Sequence, residues 1–186
     1  FLGGGSGGDV LDGGVGSDTA YYQLWTAQVG LVANLSDASQ NTGDAADDIY
    51  ISIENLWGSN FNDTLVGDEN DNVLTGVDGD DILIGNGGAD TLDGGDGTDT
   101  ASYITSASGL IADLQSPSEN TGDAAGDSYA SIERLEGSNF NDNLRGNGGD
   151  NILVGAAGND ILIGRAGADS LDGGAGNLDR ASYITA

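Results

Sequence analysis

Residues Gly58 to Ser102 read without a gap as five nonapeptides: GSNFNDTLV, GDENDNVLT, GVDGDDILI, GNGGADTLD and GGDGTDTAS. Each is a glycine-rich hexad followed by a triplet with an apolar centre, in turn Leu65, Leu74, Leu83, Leu92 and Ala101. Apolar residues recurring every nine positions do not follow a helical period, and a triplet is too short to be a helix. It fits a three-residue strand whose central side chain turns inward. The hexad then reads as a turn, with Gly and Asn where the backbone needs a positive φ. Two turns and two strands close one coil, and stacked coils give parallel sheets around an interior leucine ladder, a solenoid.

The same reading extends outward. Gly137 to Asp172 gives GSNFNDNLR, GNGGDNILV, GAAGNDILI and GRAGADSLD, with Leu144, Leu153, Leu162 and Leu171 at the triplet centres. GGAGNLDRA follows with one inserted residue, and GGSGGDVLD and GGVGSDTAY lie between Gly4 and Tyr21, which makes twelve copies. A longer period encloses the short one: the segments starting at Asn41 and Gly58 return at Asn120 and Gly137, each 79 residues later. Ala101-Ser-Tyr-Ile-Thr reappears from Ala181, so a third unit is expected to begin there and the array to continue on both sides. The expected organisation is therefore 1–21 as the end of one block, 22–57 as a linking β segment and 58–102 as a block of five nonapeptides. A second linking β segment at 103–136, a second block of five at 137–181 and the start of another unit at 182–186 complete it. The links carry apolar alternations at Leu31 to Leu35 and Leu110 to Leu114. They read as longer, irregular coils or hairpins of the same solenoid, with a separate small domain as the other reading.

Composition excludes much. The 186 residues hold 31 acidic side chains against four Arg, for a formal charge of −27, with 34 Gly and no Cys, His or Met. Without His or Cys there is no Ser-His-Asp or Cys-His nucleophile, no ordinary zinc site and no disulfide framework. The charge repels phosphate backbones and anionic membrane surfaces, so neither nucleic acid binding nor direct membrane insertion is expected. No apolar run approaches the length of a membrane span, and no secretory leader pattern is visible. High charge and abundant Gly alone would read as disorder. Periodicity overturns that.

The sixth hexad position carries the chemistry: Asp9, Asp18, Asp63, Asp81, Asp90, Asp99, Asp142, Asp160 and Asp169, with Asn72 and Asn151 at two copies and Asp179 in the inserted one. In a coiled stack, alternate copies share an edge one strand spacing apart, about 4.8 Å. Asp63 then lies over Asp81 and Asp81 over Asp99, while Asn72 pairs with Asp90, Asp142 with Asp160, Asn151 with Asp169, and Asp160 with Asp179. Two like charges at 5 Å cost about 3 kcal/mol at an effective dielectric of 20, so such a stack calls for a cation. Ca²⁺ accepts six to eight oxygens in flexible geometry and can use turn carbonyls, whereas Mg²⁺ demands a tighter octahedron. All-oxygen ligation argues against Zn²⁺ and Cu²⁺. Because ordering so Gly-rich a chain is costly, folding and Ca²⁺ binding are expected to be one event.

On these residues the nonapeptides resemble the RTX, or haemolysin-type, calcium-binding repeat, whose pattern is G-G-x-G-x-D-x-U-x. The match is close in GGSGGDVLD, GGVGSDTAY and GGDGTDTAS and slightly degraded in GVDGDDILI, GNGGADTLD, GAAGNDILI and GRAGADSLD. The resemblance implies an all-β parallel β-roll with several Ca²⁺ ions in rows along its edges. Their ligands would be the sixth-position side chains and turn carbonyls, the fourth-position Gly79, Gly88, Gly97, Gly149, Gly158 and Gly167 among them. It also implies export by a bacterial type I system, and so a secreted, extracellular or cell-surface protein. An adhesin, surface-layer or matrix protein is the first reading of the parent, with self-association or a cell-surface or matrix partner. The alternative is the C-terminal roll of a secreted protease, lipase or alginate epimerase whose catalytic domain lies elsewhere. A disordered acidic Ca²⁺ buffer is a third.

Several residues depart from the pattern. Phe61 and Phe140 replace the fourth-position Gly, Asn72 and Asn151 lower the local charge, and Leu178 displaces Asp179. Asp44, Asp48, Asp123 and Asp127 in the links are either added metal sites or solvated loop acids. Gly4 to Gly8 fits a nucleophile-elbow pattern, and Gly3, Gly5 and Gly8 a dinucleotide one. With no His and no following helix, neither carries weight. Regular spacing likewise favours metal ligands over a glycosidase carboxylate pair. Trp25, Trp57, Tyr22 and Tyr50 read as end-closing aromatics or a sugar platform. Ile82, Ile84, Ile161 and Ile163 are expected to point outward, and Arg134, Arg145, Arg165 and Arg180 to offset local negative charge.

Overall fold

The structure, a computed structural model, describes residues 1–23 and 29–182. The apolar-centred triplets are strands. They begin with β1 (Val10–Asp12) and β2 (Thr19–Tyr21), and the first link contributes β3 (Val32–Asn34), β4 (Ile49–Ile51) and β5 (Asn55–Trp57). The first block supplies β6 (Thr64–Val66), β7 (Val73–Asp78), β8 (Ile82–Ile84), β9 (Thr91–Asp96) and β10 (Thr100–Ser102). The second link gives β11 (Ile111–Asp113), β12 (Ser128–Ala130) and β13 (Arg134–Glu136). The last block gives β14 (Asn143–Arg145), β15 (Ile152–Val154), β16 (Ile161–Ile163), β17 (Ser170–Asp172) and β18 (Arg180–Ser182). Among the described residues there is no α-helix, only single 3₁₀ turns, two in each link.

All strand pairing is parallel and sets triplet centre on triplet centre: Leu65 on Leu83, Leu74 on Leu92, Leu144 on Leu162. Leu65, Leu74, Leu83, Leu92, Ala101, Leu144 and Leu153 have no exposed surface, so the ladder is the core of an all-β parallel β-roll. The strands β7 and β9 outrun the triplet, because Val77 pairs with Gly95 and Asp78 with Asp96 into the next hexad.

The links continue the roll as coils, and their antiparallel contacts are single bridges, Val32 to Thr42 and Ile111 to Thr121. Each link hands over one wall while the other runs through. At the first, the β1–β4 sheet stops and a seven-stranded sheet starts at β3, while β2 and β5 carry the five-stranded sheet across. At the second, that five-stranded sheet stops at β12 and a four-stranded one starts at β11, while β10 and β13 carry the seven-stranded sheet across.

Two expectations need correction. Ile82 does face outward, at 39% exposure, but Ile84 and Ile163 are buried, apart from the central ladder. Link residues fold back beside these strands: Asn86 bonds Ser36 Oγ (3.4 Å) and Thr105 Oγ1 (3.1 Å), and Arg165 grips Asp113 (2.7 Å). A sugar platform built on Tyr22 is also excluded, since that ring is fully buried. Its hydroxyl donates to Asp48 Oδ2 (2.8 Å) and meets the Tyr50 hydroxyl (2.7 Å). Trp57 instead packs against Tyr21 and Phe1 (centroids 6.1 and 5.9 Å), and Trp25 lies outside the described residues.

Candidate metal centres

The residue immediately before a strand occupies the edge of the roll, so parallel pairing stacks these residues in columns. At the acidic rungs the hydrogen bonds run the same way: a side-chain oxygen accepts the main-chain N–H of the residue one coil earlier. Asp63 N–H donates to Asp81 Oδ1 (2.7 Å), Asp81 N–H to Asp99 Oδ1 (2.8 Å), and Asn72 N–H to Asp90 Oδ1 (2.8 Å). Asp142 donates likewise to Asp160 (2.9 Å), Asn151 to Asp169 (3.0 Å) and Asp160 to Asp179 (3.0 Å). Every stacked pair anticipated from the nonapeptide spacing is therefore adjacent.

The links contribute rungs too. Asp9 N–H donates to Asp48 Oδ1 (2.8 Å) and Asp90 N–H to Asp127 Oδ1 (2.9 Å). Two further rungs were not anticipated: Asp18 N–H donates to Glu54 Oε2 (2.8 Å) and Asp99 N–H to Glu133 Oε2 (3.0 Å). Their signal was present, since each Glu stands one residue ahead of an apolar-centred triplet, Asn55-Leu56-Trp57 or Arg134-Leu135-Glu136.

What the second side-chain oxygen does varies. In Asp9, Asp81, Asp90, Asp99 and Asp160 it is buried without a partner. In Asp63 it accepts Ser59 N–H (2.5 Å) while Ser59 Oγ bonds Oδ1 (2.9 Å), and Ser138 does the same for Asp142 (2.6 and 3.0 Å). Asn72 and Asn151 have a single side-chain oxygen, and it accepts the N–H of Asp68 and Asn147 (2.8 Å each). In Asp48 and Asp127 the second oxygen accepts a buried tyrosine hydroxyl, from Tyr22 (2.8 Å) and Tyr103 (2.7 Å).

A buried carboxylate oxygen with no donor is costly. Burial pushes Asp81 up to about 7, opposed by the Asp63 N–H and reinforced by the charges of Asp63 and Asp99. Asp90 also rises to about 7, from burial against the Asn72 N–H and then the charge of Asp127. Asp99 and Asp160 are raised chiefly by burial, and Asp127 reaches about 6 for the same reason. A divalent cation supplies what these oxygens lack, and the donor set of carboxylate and carbonyl oxygen suits a hard ion such as Ca²⁺. No three carboxylate-bearing residues converge on one point among the described residues, so carbonyls would have to complete any such site.

First-position glycines face these oxygens. A Cβ on Gly76 would strike Asp81 Oδ2 and lie 2.6 Å from the Gly94 carbonyl oxygen. One on Gly155 would strike Asp160 Oδ2 and lie 2.8 Å from that of Gly173. Of the fourth-position glycines, Gly97 and Gly167 sit against the carbonyls of Gly79 and Gly149 one coil earlier, and Gly158 against that of Phe140. Gly88 sits against the carbonyl of Asn70. Asp169 is half-buried and Asp179 exposed, at the last described coil.

The arginines divide. Arg165 holds Asp113 through two bonds of 2.7 Å, and Arg145 reaches Glu119 (2.5 Å) and Asp113 (3.5 Å). Although burial opposes it, the Arg165 pair and the N–H groups of Ser116 and Gln115 hold Asp113 below the usual carboxylate range. Arg134 and Arg180 form no ion pair among the described residues.

A family model described as the RTX calcium-binding nonapeptide repeat (4 copies) matches residues 3–21, 57–91, 66–101, 129–162 and 145–177, together more than half of the chain. No curated protein matches it.

Proposed function

Because this chain belongs to the RTX calcium-binding nonapeptide repeat family and is thereby a calcium-binding structural module, we propose that it serves as a calcium-folded spacer in a secreted bacterial adhesin, surface-layer or matrix protein. In this reading Ca²⁺ is held along the roll's edges by sixth-position side chains and turn carbonyls, and it compensates the stacked negative charge. Outside the cell, where the ion is abundant, the chain folds; without it, the unpaired oxygens oppose folding. The observation that carries the reading is the set of buried, unpartnered carboxylate oxygens at Asp9, Asp81, Asp90, Asp99 and Asp160. The spacer role draws support from two 79-residue repeats whose strands join shared sheets through both links, a geometry that adds length unit by unit.

A calcium titration of the metal-stripped chain, followed by far-ultraviolet circular dichroism, tests this. Strand signal should be largely absent in excess chelator and return as Ca²⁺ is added. Full strand signal with chelator present at neutral pH would refute the structural role of the ion.

A further inference from the structure

The hexads are not one kind of turn. In seven of them, 4–9, 13–18, 76–81, 85–90, 94–99, 155–160 and 164–169, both the second and the fourth residues have positive φ. This holds even where the second residue is not Gly, as at Val77 (95°), Asn86 (65°), Ala156 (68°) and Arg165 (71°). In four others, 58–63, 67–72, 137–142 and 146–151, neither residue does. The difference redirects one peptide group. In the four, the second-position N–H points back and donates to the sixth-position side-chain oxygen, at Ser59, Asp68, Ser138 and Asn147. In the seven no such donor arrives. All five buried carboxylate oxygens of the ladder that lack a partner belong to these open turns; Asp81, Asp90, Asp99 and Asp160 are at most 1% exposed.

Within the two blocks the split follows position in the stack. The closed turns are the first two of each block, one per edge, and each has a link segment one coil earlier. Later turns lie against the turn one coil earlier, as Gly79 against Phe61 and Gly88 against Asn70. The turns 4–9 and 13–18 are open without such a contact. GNGGAD at 85–90 and GNGGDN at 146–151 share their first four residues, yet the first is open and the second closed.

Resting on the calcium-binding reading above, we infer that among the nonapeptide turns Ca²⁺ loads only the open ones, and that the first two turns of each block are built to stand without it. The link residue Asp44, whose Oδ2 is also buried without a partner, lies outside this contrast. A main-chain N–H already occupies the sixth-position oxygen that an ion would use, and the side chains of Ser59 and Ser138 add a second bond. The link carboxylates Asp48 and Asp127 are closed in the same sense, each having one oxygen on a neighbouring N–H and the other on a tyrosine hydroxyl. Asp63, Asn72, Asp142, Asn151 and the Gly149 turn thus leave the set of ligands suggested by spacing. Each block combines a metal-independent start with a metal-dependent remainder.

Counting bound ions by native mass spectrometry at saturating Ca²⁺ tests this, with a fluorescence-monitored titration for the midpoint. Asp63→Asn and Asp142→Asn should keep the parent's ion number and a midpoint within about twofold, since Asn already serves at rungs 72 and 151. Asp81→Asn and Asp160→Asn should each lose at least one ion. Asn72→Asp and Asn151→Asp, which add a carboxylate to a closed turn, should gain none and decide the matter if the Asp63 variant fails to fold. An ion lost from Asp63→Asn, an ion gained by Asn72→Asp, or a full complement in Asp81→Asn overturns the inference while leaving calcium binding intact. A parent chain that binds no Ca²⁺ overturns both.

Discussion

Removing calcium should make the fold depend on acid in an unusual direction. Asp81 and Asp90 are pushed up to about 7, first by burial, each partly offset by a neighbouring N–H and then reinforced by nearby carboxylates. A carboxyl whose folded pKa exceeds its unfolded one favours the folded chain while protonated. Its contribution is complete below about pH 4 and is lost as the pH rises through about 7. A displacement of about three units sets a ceiling of about 4 kcal/mol per group, and water at the turn edges brings it to about 2. The two together withhold about 4 kcal/mol between pH 4 and pH 7.5, a large part of the 5–15 kcal/mol that holds a typical domain folded. Asp113 works the other way: its arginine pair and backbone donors outweigh burial, so its contribution is present above about pH 4 and lost on further acidification. Metal-stripped protein in chelator-treated buffer should therefore gain strand signal as the pH falls from 8 to about 5 and lose it again near 3. General relief of the −27 charge acts in the same direction, so the control is the double variant Asp81→Asn, Asp90→Asn, which alters that charge little. Its stability should vary much less between pH 5 and 7.5. A stripped parent more stable at pH 8 than at pH 5, or a double variant with the parent's slope, would refute the reasoning.

Arg165→Ala should cost the calcium-loaded protein about 3 kcal/mol, because it strips the two 2.7 Å bonds from a carboxylate with no exposed surface. Pairing Asp113→Asn with Arg165→Asn should cost less than the two single changes summed, as chemical denaturation in a double-mutant cycle would show. Gly76→Ala should lower both the ion count and the melting temperature, since its Cβ meets Asp81 Oδ2 and the Gly94 carbonyl. Gly148→Ala, where nothing lies within 4 Å, should be neutral to within about 0.5 kcal/mol.

The nonapeptide spacing carried the roll, the leucine ladder and the pairing of edge residues, because each follows from a strand period of two and a coil of two turns. Other features were hidden for identifiable reasons. Glu54 and Glu133 lie outside any glycine hexad, and only their place ahead of a link triplet marks them. The opposite states of GNGGAD and GNGGDN accompany a difference across the stack that no local pattern encodes: Gly88 lies against Asn70 one coil earlier, and Gly149 meets no such neighbour. Ile84 is buried two residues before Asn86, which link residues reach across intervals of 50 and 19 positions. Tyr22 gave no sign of its partner, since Asp48 stands 26 residues away.

The two links also show which parts of the joint are free to change. At a spacing of 79, Asn34, Gln40, Val66 and Asn86 become Asp113, Glu119, Arg145 and Arg165. Two acids and two bases enter together, so the formal charge of the set is unaltered. They also enter as one contact group: Arg165 and Arg145 both reach Asp113, and Arg145 reaches Glu119 as well. Introduced alone, Asp113 would be a buried charge without compensation, which is why the set must change as a whole. Three bonds survive the exchange. Asn86 donates to the Gly67 carbonyl (2.9 Å) and Arg165 to the equivalent Gly146 carbonyl. The Asn34 side-chain oxygen accepts Asp37 N–H as that of Asp113 accepts Ser116 N–H (2.8 Å each). The N–H groups of Asn34 and Asp113 donate to Asn41 and Asn120 (2.8 Å each). The geometry of the joint therefore rests on main-chain groups and on one side-chain oxygen that Asn and Asp supply alike. The remaining chemistry can be neutral or ionic. Successive joints of one array can then differ in their sensitivity to salt while the turns between them share the same dependence on calcium.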